Sequence, residues 1–192
     1  RYFSLGKLEF YNDNGDLQGD YKPNEFSIDA AYSLSLSKTL SGAIALRFIH
    51  SDLGFQVDDD GYSKGNAVAA DIAFYYKKPV SVAGAKADLM VGLNITNIGT
   101  KITYDNGVTN EYLPANLRIG AGFWYEIDNY NKIGATVDFN KLLVPTPDYR
   151  NADDDEAMYE KRQKYYDKSV IASIFSSFTD APRGGKEELE EI

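Results

Sequence analysis

Cysteine is absent from the 192 residues, which removes both a disulfide framework and any thiolate metal site. No run of about eighteen apolar residues occurs, so a membrane-spanning helix is excluded. Histidine occurs once, at His50, at the end of an alternating segment. A packed or interfacial ring is the reading there, not a general base. Basic residues are outnumbered, 20 Lys and Arg against 29 Asp and Glu, for a formal charge of -9. That balance argues against nucleic acid as a partner and against a basic membrane-surface binder. There is no Gly-x-Ser-x-Gly elbow, and Ser37, Ser41 and Ser51 have no identifiable orienting acid, so a hydrolase is unsupported. The chain opens on Arg1 without methionine or leader and stops at Glu190-Glu191-Ile192 without a finished element, so the expectation is an internal segment.

What the chain has is alternation. Phe26, Ile28, Ala30, Tyr32, Leu34 and Leu36 take every second position, with Ser27, Asp29, Ala31, Ser33, Ser35 and Ser37 between them. A period of two puts the apolar side chains on one face of a strand and the polar ones on the other. After Lys38 to Gly42 the chain returns with Ile44, Leu46 and Phe48 against Arg47. Soluble strands run about 5–6 residues, whereas a tilted strand crossing a bilayer needs about 9–11. Alternation of this length, a tight turn and an equally long return describe a membrane hairpin. A mean hydropathy of -0.40 agrees with this, because alternation dilutes hydropathy. Fifteen Tyr, ten Phe and one Trp suit the aromatic girdles of such a barrel.

The pattern repeats along the chain. Arg1 to Phe10 reads as the end of a strand, and Asn12 to Pro23 as a polar loop. Val68, Ala70, Ile72, Phe74 and Tyr76 mark a strand that Lys78-Pro79 is expected to break. Ala87 to Ile95, Leu117 to Ile127 and Ile133 to Phe139 mark three more, giving seven. Long connections (11–24, 52–65, 99–115 and everything after Val144) alternate with short ones (38–41, 78–85 and 128–131). Outer-membrane barrels sort their loops this way, with short periplasmic turns and long extracellular loops, whereas a soluble sandwich has no reason to. The fold class is therefore all-β, an antiparallel transmembrane β-barrel. Such barrels start at about eight strands, so closure needs strands from outside this segment.

Residues 1–192 form a single domain in this reading, with 145–185 a long extracellular loop. Asp153 to Lys168 suits an exposed helix or a solvated excursion. Val170, Ile171, Ile174, Phe175 and Phe178 recur at helical spacing, so a short amphipathic helix is expected there. Its apolar face needs a partner, either the barrel mouth or another protein. Asp29, Arg47, Asp71, Asp88, Arg118, Glu126 and Asp138 point inward and are expected to interlock as charges filling the lumen. Asp29 and Arg47, on neighbouring strands, are the expected pair. The acidic runs Asp58-Asp59-Asp60-Gly61 and Asp153-Asp154-Asp155-Glu156 lack EF-hand spacing and read as solvated loops, so no metal site is assigned.

Several runs together resemble the PorV family of Bacteroidetes. They are Leu113-Pro114-Ala115-Asn116-Leu117-Arg118-Ile119-Gly120, Asn140-Lys141-Leu142-Leu143-Val144-Pro145-Thr146-Pro147 and Ile174-Phe175-Ser176-Ser177-Phe178-Thr179-Asp180-Ala181-Pro182. Asn94 to Gly99 and Tyr2 to Gly6 add to them, and the resemblance runs over essentially all 192 residues. It implies a FadL-type barrel of fourteen strands, of which this is a middle portion, and a non-enzymatic role in type IX secretion without a cofactor. The implied partners are the translocon barrel SprA (Sov), the C-terminal signal domains of secreted cargo, the PorU-containing attachment complex and outer-membrane lipid. A FadL-like transporter of hydrophobic small molecules is the rival reading. No residue motif for cargo contact carries over from the family. Physical reasoning instead selects the long loops, with Pro145, Thr146 and Pro147 and the face made by Ile174, Phe175 and Phe178, since aromatics carry much interface energy.

Overall fold

The computed structural model describes residues 1–12, 14–53, 64–105, 110–145 and 155–179; the side chains of 155–158, 161 and 162 are outside that description. Seven antiparallel strands form one curled sheet: β1 (Tyr2–Ser4), β4 (Asn24–Ser35), β5 (Leu40–Asp52), β6 (Gly65–Val82), β7 (Ala85–Gly99), β8 (Asn116–Glu126) and β9 (Lys132–Leu142). A separate hairpin of β2 (Leu8–Tyr11) and β3 (Leu17–Tyr21) lies between β1 and β4 in the chain. Two helices follow, α1 (Asp155–Asp167) and α2 (Val170–Ser176). The sheet is a half-barrel in shape.

The register turns the alternation into a belt. Tyr32, Ile44, Ile72, Ile95 and Leu117 stand opposite one another in one row across five strands. Phe74, Leu93, Ile119 and Phe139 form a second row. Ile28, Tyr32, Ile44, Leu46 and Phe139 are each more than half exposed. A contiguous apolar belt of this extent is what a sheet facing lipid presents, and soluble monomers avoid it.

Three sequence expectations need correction. The opening stretch is not one strand: Gly6, at φ +79, divides it, so β1 pairs with β4 while β2 turns back on β3. The polar loop after it therefore contains β3, whose Tyr21 hydroxyl donates to the Asp52 carboxylate at the end of β5. Nor does Pro79 break β6, which runs on to Val82 and turns through Ala83 (φ 52) and Gly84 (φ 85). Two successive positive φ values give the tight turn whose twist suits a two-residue hairpin. Pro79 is tolerated for a local reason. The Lys77 amide donates to Thr39 O at 2.8 Å, so the nitrogen two residues on points to the same side, beyond the last β5 pairing at Leu40. No ladder bond is lost there.

The core lies at the end of the sheet where the long connections gather. Ala67 and Ala69 on the inner face of β6 are buried against Ile102 and Leu113 of the 99–115 connection, with Ile49 and Tyr104 packed around them. Small side chains on β6 let that connection lie directly on the wall. Gly99 makes the turn into it, where a Cβ would overlap Val68 O and sit 2.7 Å from Ala69 Cα. Both obstacles are backbone, so neither can swing aside. Gly99→Ala in the full-length protein is expected to cost about 1–3 kcal/mol. The measure is the urea unfolding midpoint in lipid vesicles; a wild-type midpoint would mean that the connection is not seated on β6.

Candidate functional site

Asp29 and Arg47 stand directly opposite on β4 and β5, and the Arg47 Nε donates to the Asp29 carboxylate. Arg47 Nη2 reaches Asp71 Oδ2 on β6 at 3.1 Å, and Nη1 donates to Asn97 Oδ1 on β7. One guanidinium thus ties four strands, because its planar fork offers donors in three directions. Asn97 arrives there through a bulge. Ala70 pairs with Ile98 and Ile72 with Ile95, so Asp71 alone faces both Thr96 and Asn97. Asn97 takes a left-handed φ of 57, donates its amide to Asp71 Oδ1 at 2.8 Å and donates Nδ2 to Pro114 O at 3.2 Å. The charge network therefore also anchors the far end of the 99–115 connection.

The expected single charged filling resolves into local groups. Lys77 and Asp88 pair at 3.0 Å, Glu126 and Lys132 at 2.6 Å, and Arg118 Nε donates to Asn140 Oδ1 at 2.7 Å. Each of these three pairs lies on adjacent strands, within direct or diagonal cross-strand reach. His50 packs against Phe26 with ring centroids 5.0 Å apart, its Nδ1 2.8 Å from Asn66 Oδ1.

Above this wall a second layer closes the long-loop end. Tyr104 donates to Ser51 Oγ at 2.8 Å, and Ser51, 1% exposed, donates to Glu25 Oε1 at 2.7 Å. An open cleft of about 470 Å³ lies beneath, lined by Tyr2, Phe26, Arg47, Ile49, Ile102 and Tyr112 among others. The third layer is the helix pair. Lys101 lies 4.4 Å over the Tyr112 ring, and both approach the end of α1. Burial lowers the Lys101 pKa from the ordinary lysine value and raises that of Tyr112 above the ordinary phenol.

The residues selected from the sequence fall differently. Pro145 is buried, and Thr146 and Pro147 lie outside the described residues. Ile174 is half-buried, while Phe175 is 72% and Phe178 55% exposed. α2 turns Ser173 and Ser177 inward, their hydroxyls donating to the carbonyls of Val170 (2.6 Å) and Ile174 (2.7 Å). Ile171, Phe175 and Phe178 are exposed, with Lys141 Nζ 5.1 Å from the centre of the Phe178 ring. The acidic run at Asp58 lies outside the described residues, as do Asp153, Asp154 and the side chains of Asp155 and Glu156. Sequence reading did not find Asn97 as part of the site, nor Lys101, Tyr104 or Tyr112. A signal for Asn97 was present: apolar positions step by two through Leu93 and Ile95, then by three to Ile98.

Long paired strands, an outward apolar belt, a polar inner wall and loops sorted by length together define the wall of a membrane-type β-barrel. The family of type IX secretion system protein PorV matches residues 1–149, and the chain belongs to it. Comparison with the curated proteins finds no match. The family match ends before α1, so it is narrower than the resemblance read over the whole chain. Membership makes the protein a component of type IX secretion, with partners in that system. With the barrel-type sheet it fits an outer-membrane protein, and PorV is not a known enzyme family.

Proposed function

We propose that this protein binds the C-terminal signal domains of secreted cargo at the translocon barrel SprA (Sov) and carries them to the PorU-containing attachment complex. It acts by binding, without catalysis, while the apolar belt contacts outer-membrane lipid. The long connections face the cell exterior in this reading, and they present the working surface. The observation that carries it is the outward face of α2. Ile171 and Phe175 share one side of α2, Phe178 follows in the turn after it, and all three stand exposed at the long-loop end. Exposed aromatics grouped in this way are the usual centre of a protein interface.

The cleft of about 470 Å³ favours a second reading, a FadL-like transporter of hydrophobic small molecules, since Tyr2, Phe26, Ile49 and Ile102 line it. An affinity pull-down of the full-length protein from detergent-solubilised outer membranes separates the two, with mass spectrometry of proteins and lipids. A very large barrel with secreted proteins sharing a C-terminal domain is the expected result. Recovery of the protein alone with bound fatty acid would replace the first reading with the second.

A further inference from the structure

The outward face of α2 is held by something other than α1 itself. α1 has Asp or Glu at 155, 156, 160 and 167 and Lys or Arg at 161, 162 and 164, seven charged residues in thirteen positions. A helix of that kind has no apolar stripe to dock. Its C-terminal end also carries carbonyls without intrahelical donors. The 99–115 connection supplies those donors. The Tyr112 hydroxyl lies 2.6 Å from Lys168 O and 3.0 Å from Tyr165 O, and Lys101 Nζ donates to Tyr166 O. Tyr166 returns its own hydroxyl to Glu111 Oε1 at 2.8 Å, and the Tyr165 ring meets Tyr112 edge-on with centroids 5.4 Å apart. A lysine at this end also meets the negative pole of the helix.

The latch leads straight into α2. Lys168 Nζ donates to Ser176 Oγ at 3.0 Å, and Ser169 Oγ accepts from the Ala172 amide at 3.2 Å, capping the helix. The connection is itself fixed to the wall by the Ile102–Glu111 bridge, whose two bonds measure 2.9 and 2.8 Å, and by Asn97. A succession of hydrogen-bonded and covalent links therefore runs from Arg47 on the sheet to α2.

We infer that Tyr112, seconded by Lys101, is a positioning residue that latches the α1–α2 junction and so aims the Ile171, Phe175 and Phe178 face at the partner. The inference rests on the binding role proposed above. The test is Tyr112→Phe in the full-length protein, which keeps the ring contacts and removes only the hydroxyl. Amide exchange over 163–176 is expected to rise about three- to tenfold, the worth of one hydrogen bond, with the sheet amides unchanged. Capture of cargo and translocon is expected to fall by a similar factor. Lys101→Arg keeps donor and charge and is expected to match wild type, whereas Lys101→Met behaves like Tyr112→Phe. Unchanged exchange in Tyr112→Phe overturns the latch. Raised exchange with undiminished capture overturns the positioning role. If wild type itself captures no cargo, the binding reading fails and the positioning role with it, while exchange alone still decides the latch.

Discussion

Arg47→Met is expected to lower the stability of the full-length barrel by about 2 kcal/mol. The substitution keeps most of the side-chain volume and leaves Asp29 and Asp71, on either side of β5, without the cation they share. Breaking a buried ion pair on one side costs about 3–5 kcal/mol. The side chains of Arg47, Asp29 and Asp71 are 19%, 30% and 18% exposed, so solvent screens part of that cost. The measurement is the urea unfolding midpoint in lipid vesicles. Arg47→Met combined with Asp29→Asn and Asp71→Asn removes the stranded charges and is expected to recover most of the loss. If the single variant unfolds with wild type, or the triple variant fares no better than the single, the network is not what binds the four strands at this end. Because Asn97 links the network to Pro114, the single variant should also loosen the 99–115 connection.

How far the sequence carries the fold depends on how local the cause is. Strand alternation is a local signal, so β4 through β9 and their facing were legible, as was the pairing of Asp29 with Arg47. Pro79 misled because its effect depends on whether a neighbour lies on the side its nitrogen faces. That neighbour, β5, begins at Leu40, opposite Tyr76, and so stops short of Pro79, a fact of register and not of the residue itself. The bulge at Asn97 was written in the slipped spacing between Ile95 and Ile98, but a slip shows only that a residue is extra, not that it reaches Arg47 fifty positions away. The latch had no signal. Tyr112 meets Lys168 across 56 positions between two segments without periodicity. The α2 spacing gave the helix and its apolar face, yet the buried side proved to be Ser173 and Ser177. Their hydroxyls bond back to the preceding turn, so burying them leaves no orphan polar group.

That inversion makes Phe175→Asp combined with Phe178→Asp the sharpest trial of the proposed role. Among the described residues neither ring is buried, so the pair of substitutions is expected to remove surface and not packing, and the barrel to fold and insert normally. Association is a different matter. Truncating a central aromatic of an interface costs about 2 kcal/mol or more, and a charge placed there adds desolvation, so capture should drop by well over tenfold. Phe178→Asp alone is a milder case, because Lys141 beside it can pair with the new carboxylate and soften the penalty at that site. Co-purification of cargo and translocon from cells carrying each variant reads the effect, with barrel insertion as the control. Full capture by the double variant would move the working surface away from α2 and leave its aromatic face without a role in cargo binding. A loss graded from Phe178→Asp to the double variant would instead mark Phe175, the more exposed ring, as the centre of the contact.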